Sequence, residues 1–234
     1  MELYILNIKN EEDIDRYSKL LDNISPEKKE RVYRYIRNED KIRALFSEIL
    51  IRHIIIKTLK YRNEDIKFEY NKYGKPCLIN DKNFHFNISH SGEYIAVIVD
   101  NKEVGVDVEK IGDMEIIDLA KRFYTKSEYE YIVKQDEIQQ ANTFYKIWTL
   151  KESYVKFAGK GLSIPLDSFT FSKRNDGNII LQDNNESDKF VYFLSYDITN
   201  EYIVSVCSLN EIKDLELTYI EHSELIYDFM NMIN

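Results

Sequence analysis

No run of apolar residues in this 234-residue chain approaches the length needed to cross a bilayer. Its opening residues, MELYILNIKN, lack the basic start and long apolar stretch of a secretory signal. A cytoplasmic protein with no membrane partner is expected. Cysteine is scarce: Cys77 and Cys207 stand far apart, without companions at metal-ligand spacing, so neither a disulfide framework nor a thiolate metal site is expected. The glycine-rich phosphate loops are missing as well. Neither G-x-x-x-x-G-K-[ST] nor G-x-G-x-x-G occurs, which removes the P-loop and dinucleotide-binding readings. Positive charge is outweighed, with a net charge of -9, and this argues against a nucleic-acid partner.

What the chain does have is 44% hydrophobic residues, enough for one large domain or two small ones, and an uneven distribution of charge. Residues 25–60 hold 10 Lys/Arg against 5 Asp/Glu, whereas residues 176–234 hold 2 against 12. A basic segment retained in an acidic protein is either a solvated helix face or a grip for an anionic ligand.

The pattern alternates helices and strands. LYILNI reads as a strand, and Ser25 followed by Pro26 reads as an N-cap and first helical residue. DKIRALFSEILIRHIIIKTLK gives a long amphipathic helix. After IKFEY and the turn NKYGKP come FHFNIS, YIAVIVD and EVGVDVE, three strands in series for which antiparallel pairing is expected. IIDLAKRF is helical, Thr125 and Glu128 have capping-box spacing for a second helix, and ANTFYKIWTLKESYVKFAGKG is a third, stopped by Gly159 and Gly161. FTFSK, a turn RNDG, NIILQ, FVYFLSYD, EYIVSVCS and LELTYI form a strand-rich end. Long helices near residues 40–60 and 140–160, each followed by strands, predict an α+β fold of two similar halves. The boundary is expected at 1–103 and 104–234.

The stretch VGVDVEK carries the first chemical signal. In a strand, Val104, Val106 and Val108 share one face, and Gly105, Asp107 and Glu109 share the other. Two carboxylates ~6 to 7 Å apart repel by roughly 2 to 3 kcal/mol at an intermediate dielectric, so either water or a cation should offset them. On the helix KIWTLKESYVK, Trp148, Glu152 and Lys156 fall along one stripe, which adds a third acid and a lysine one turn beyond it. Three hard oxygen donors without a His or Cys cluster suit magnesium shared with substrate phosphates. Lys28, Arg31, Arg43, Lys75 and His90 are donors of the kind that hold phosphate.

Taken in order, YGKP, FNISHSGEYIAVIV, VGVDVEK, KRFYTKSEYE and FYKIWTLKESYVKFAGKGLSIPLDSF resemble the successive signatures of the 4'-phosphopantetheinyl transferase superfamily, in its surfactin-synthetase-activating (Sfp-like) type. The G-V-D-x-E and W-x-x-K-E-x-x-x-K patterns appear in sequence. The resemblance implies a monomer of two similar α+β halves related by a pseudo-twofold, with coenzyme A in the cleft between them. It assigns Asp107, Glu109 and Glu152 to magnesium, with manganese as the alternative ion, and Lys156 to the pyrophosphate. Lys28, Arg31, Arg43 and His90 go to the 3'-phosphate. Tyr73, Gly74, Lys75 and Pro76, with Ser89, match the segment bordering the adenosine. Ala44 departs from the pattern, since a hydroxyl residue can follow the arginine in relatives.

The implied reaction moves phosphopantetheine from coenzyme A to a serine of an apo acyl or peptidyl carrier protein and releases adenosine 3',5'-bisphosphate. Glu152 is the proposed base, and Lys156 acts beside it. A magnesium-dependent nucleotide or pyrophosphate hydrolase, and a non-catalytic coenzyme A- or carrier-binding module, are the rival readings. Ile116, Leu119 and Phe123, near helical spacing after the acidic strand, serve either core packing or carrier contact.

Overall fold

The computed structural model describes residues 1–9, 11, 13–112, 114–173, 179–183, 191–213 and 215–233. The strand β1 (Glu2–Asn7) is followed by a short helical stretch ending in α1 (Ser18–Leu21), then α2 (Pro26–Tyr33) and α3 (Asn38–Leu59). A small hairpin, β2 (Phe68–Tyr70) and β3 (Pro76–Leu78), leads to β4 (His85–Ser91), β5 (Tyr94–Asp100) and β6 (Val104–Lys110). Then come α4 (Ile116–Phe123), α5 (Lys126–Val133) and α6 (Glu137–Ala158). Strands β7 (Phe169–Lys173), β8 (Ile179–Asp183), β9 (Tyr192–Thr199), β10 (Tyr202–Ser208) and β11 (Glu216–Glu221) precede α7 (His222–Ile233).

Two sheets stack face to face, each with a long helix on its outer side. The first has the order β11-β1-β5-β4 and the second β6-β10-β9. Alternation along the strands dictates the layers. Tyr4 and Leu6 of β1, with Ile95, Val97 and Val99 of β5, pack among the buried isoleucines of α3 and against Leu225 and Phe229 of α7. The intervening residues Leu3, Ile5, Ala96 and Ile98 face Val104, Val106, Val108, Val204 and Val206 of the second sheet. The valine face of β6 is therefore the filling between the sheets, and its acid face looks outward toward α6.

The two halves repeat one plan. A first strand is followed by three helices, a separate two-stranded hairpin and then two strands, the second of which pairs centrally, giving β1-β5-β4 in one half and β6-β10-β9 in the other. Both α3 and α6 are 22 residues long and end on a left-handed residue, Lys60 and Gly159 respectively. The helix starts are those the sequence predicts. Ser25 accepts a hydrogen bond from the Lys28 N–H ahead of Pro26, and Thr125 forms a full capping box with Glu128.

Three features differ from expectation. β4 and β5 pair antiparallel, but β6 does not continue the series, because both edges of β5 are already taken by β1 and β4. β6 pairs instead with β10, antiparallel. The helix α7 was not foreseen, although Leu225 and Phe229 stand one turn apart. Strand β11 crosses back to lie parallel to β1, so residues 104–234 contribute to both sheets. The turn RNDG lies outside the described residues. No helix among the described residues is long and apolar enough to cross a membrane.

Candidate active site

β4 and β6 are edge strands of different sheets that run alongside each other. Because β6 has a backbone partner only in β10, its other row of N–H groups would be left open. Alternate side chains of β4 fill it. Asn87 Oδ1 accepts from the Val106 N–H at 2.9 Å, Ser89 Oγ from Val108 at 3.3 Å, and Ser91 Oγ from Lys110 at 3.1 Å. The period of two on β4 matches the every-second-residue N–H groups of β6. The two serines then donate onward, Ser89 Oγ to Asp107 Oδ1 at 2.9 Å and Ser91 Oγ to Glu109 Oε2 at 2.8 Å. One serine thus satisfies a strand N–H and fixes a carboxylate at once.

The helix α6 closes over this seam. It approaches β6 so tightly at Gly105 that an added Cβ would stand 2.0 Å from the Ser153 carbonyl oxygen and 2.6 Å from the Phe157 nitrogen. That contact sets Lys156 over the acids, with Nζ 2.6 Å from Asp107 Oδ1 and 2.7 Å from Ser89 Oγ. A cation does stand opposite the same-face acids, and it is this lysine. Asp107 is only 3% exposed, and its Oδ2 has no hydrogen-bond partner.

The electrostatics follow from crowding three acids against one lysine. Burial pushes Asp107 above the usual carboxylate range, with Lys156, Ser89 and the Val108 N–H pulling against it. Burial and then the charge of Asp107 push Glu109 up to about 7. Glu152 is raised by burial and by Asp107 against the opposing pull of Lys156. Among the described residues no three such side chains are gathered closely enough to hold a metal as they stand. The donor chemistry nonetheless fits a hard divalent cation: three carboxylates in surplus over one ammonium, and an unpartnered buried carboxylate oxygen.

Beside the seam lies a cavity of about 170 Å³ whose walls include Lys28, Arg31, Gly74, Pro76 and His90, together with Ala44. Lys28 reaches Glu48 at 3.4 Å. Although the His90 ring is open to solvent on one side, packing beneath it and the nearby cations Lys156 and Arg43 push it down to about 4. His90 therefore sits where the cavity meets the seam. Arg43 is not part of this lining; it donates to the Gly92 carbonyl at 3.0 Å and to Asp40 Oδ1 at 2.5 Å, close enough to His90 for its charge to be felt there. Tyr73 is exposed, with the Lys72 ammonium 4.8 Å from its ring centre.

Lys75 is placed differently from the sequence expectation. Its Nζ donates to the carbonyls of Val104 and Phe157 at 3.0 and 3.1 Å, and burial lowers it to about 8. It ties the start of β6 to the end of α6 and does not present its charge to a ligand. Asn87 and Ser91 were missed as site residues. Their signal was the polar alternation of NISHS opposite the acidic alternation of VGVDVE.

An acidic seam beside a cation-lined cavity is equipment for a substrate that carries phosphate groups. The profile described as the 4'-phosphopantetheinyl transferase superfamily matches residues 103–207, and that of the 4'-phosphopantetheinyl transferase N-terminal region matches residues 11–102. The 4'-phosphopantetheinyl transferase Sfp of Bacillus subtilis is 36% identical over 87% of this chain and 90% of its own length. The transferase gsp of Aneurinibacillus migulanus is 34% identical over 99% and 96%. Among solved structures, a holo-(acyl-carrier-protein) synthase from Bacillus anthracis in complex with CoA covers 47% of this chain and 96% of its own at 17% identity and TM-score 0.42. The chain belongs to the 4'-phosphopantetheinyl transferase superfamily, in its Sfp-like type.

Proposed function

We propose that this enzyme transfers 4'-phosphopantetheine from coenzyme A to a serine of an apo acyl or peptidyl carrier protein. The carrier serine oxygen attacks the β-phosphorus, the bond from that phosphorus to the bridging oxygen breaks, and adenosine 3',5'-bisphosphate leaves with the electron pair. The observation that carries this reading is His90, which lines the cavity shared by Lys28 and Arg31 and lies close enough to Lys156, the lysine paired with Asp107, to feel its charge.

The cavity is smaller than pockets that enclose a whole drug-sized ligand, so it suits one end of coenzyme A while the diphosphate extends over the seam. Lys28, Arg31 and His90, with Arg43 near His90 but outside the cavity lining, are assigned to the 3'-phosphate, and Gly74 and Pro76 form the backbone wall beside the adenosine. Lys156 is assigned to the diphosphate. Asp107, Glu109 and Glu152 would hold magnesium, or manganese in its place, which supplies neutralising charge to the diphosphate when bound. Glu152 takes the proton from the carrier serine. Its raised pKa supports this role, since a carboxylate moved toward neutral pH is a stronger base. Action as a monomer belongs to the same proposal, as does a cytoplasmic location.

The test mixes the protein with coenzyme A, magnesium and a panel of apo carriers, and looks by mass spectrometry for the phosphopantetheine increment on the carrier serine. Cleavage of coenzyme A without a carrier would replace this reading with a hydrolase. Binding without cleavage would leave a coenzyme A-binding module.

A further inference from the structure

Ser47 lies on α3 one turn beyond Ala44, and both line the 170 Å³ cavity. Its side chain is buried, at 5% exposure, and its hydroxyl oxygen has no hydrogen-bond partner. A mid-helix serine ordinarily returns its hydroxyl to a carbonyl of the preceding turn or points it at water. Ser47 does neither. A buried hydroxyl without a partner is unfavourable and calls for an explanation outside the free chain.

The surroundings specify the partner. The next residue, Glu48, also lines the cavity, where its charge is matched by Lys28 at 3.4 Å and by Arg52 at 2.7 Å, so Ser47 and Lys28 meet the cavity from adjoining places on α3 and α2. Arg31, nearly one turn along α2 from Lys28, lines the same wall. A hydroxyl donor next to two cations is a combination that binds an anion, the cations supplying charge and the hydroxyl a directed bond. Ala44 can supply no such bond.

We infer that Ser47 is a binding residue for the ligand's phosphate, donating its hydroxyl hydrogen to a 3'-phosphate oxygen beside Lys28 and Arg31. The inference rests on the assignment of this cavity to the nucleotide end of coenzyme A.

Calorimetry with adenosine 3',5'-bisphosphate and with adenosine 5'-monophosphate, on the wild type, Ser47→Ala and Arg31→Ala, separates the two levels. The wild type should prefer the bisphosphate, and Arg31→Ala should reduce that preference. Ser47→Ala should weaken the bisphosphate about tenfold and leave the monophosphate unchanged. Thermal melting adds a readout that a structural hydroxyl would move the other way. The ligand-free Ser47→Ala protein should melt at or above the wild-type temperature, with a smaller rise on adding bisphosphate. No bisphosphate preference in the wild type, or none lost in Arg31→Ala, overturns the cavity assignment itself. An intact preference in Ser47→Ala alone, equal weakening of both nucleotides, or a lower ligand-free melting temperature overturns the role of Ser47.

Discussion

Glu109, held up to about 7 by burial and then by Asp107, makes stability depend on pH in a definite direction. Between its ordinary value and about 7 the folded chain keeps a proton that the unfolded chain has released. Its contribution is therefore fully present at low pH and is lost as pH rises through that window. His90, lowered to about 4, has the opposite sign, because the folded chain lacks a proton that the unfolded chain carries from about 4 to its ordinary value. The two slopes overlap, so the informative quantity is a difference. Glu109→Gln should gain stability relative to the wild type as pH rises from about 5 to 7.5, by up to about 2 kcal/mol, read from urea midpoints without divalent cations. At Glu152 the expectation concerns rate. Glu152→Gln should bind coenzyme A as the wild type does, lose about 10² to 10⁴-fold in turnover and lose the acidic limb of its pH-rate profile. The shared face of Asp107 and Glu109 was legible because strand alternation is a local rule. The destination of Lys75 was not, because its carbonyl partners lie 29 and 82 residues along the chain.

The helix α6 and the strand β6 act as a unit through the missing side chain at Gly105. Gly105→Ala places a methyl against helix backbone that cannot rotate away, so α6 must lift and Lys156 with it. A loss of about 3 kcal/mol of stability is expected, together with a fall in transfer activity that added coenzyme A does not restore. Urea unfolding and steady-state kinetics measure the two. Of the elements, α3, α4, α5 and α6 were legible from periodicity and caps. The partner of β6 was not, since its alternation fixes which face is apolar but not which strand supplies its hydrogen bonds. The Asn71–Lys75 turn was read correctly as local structure.

Across the molecule, the long-range returns are what the sequence hid. The plan of two halves could be glimpsed in the spacing of the long helices, yet nothing local in LELTYI says that it travels back to β1. Its arrival is enforced by burial: Ile220 joins the first core, and Leu225 and Phe229 of α7 are fully buried there. Leu225→Ala should lower stability by about 3 kcal/mol through the cavity it leaves. Because the cavity opens in the N-terminal core, nucleotide binding should weaken at temperatures where the wild type still binds, as read by calorimetry across a temperature series.

The crossing of β11 also imposes an order in time. A ribosome releases β1 and α3 long before β11 and α7, and until residues 216–233 emerge β1 has no neighbour on one edge, while the isoleucine face of α3 lacks the cover of α7. The half that is made first is thus finished last. Nascent chains stalled before β11 should recruit chaperones or pair their open edges with one another, and release of β11 and α7 should end that exposure in a single step.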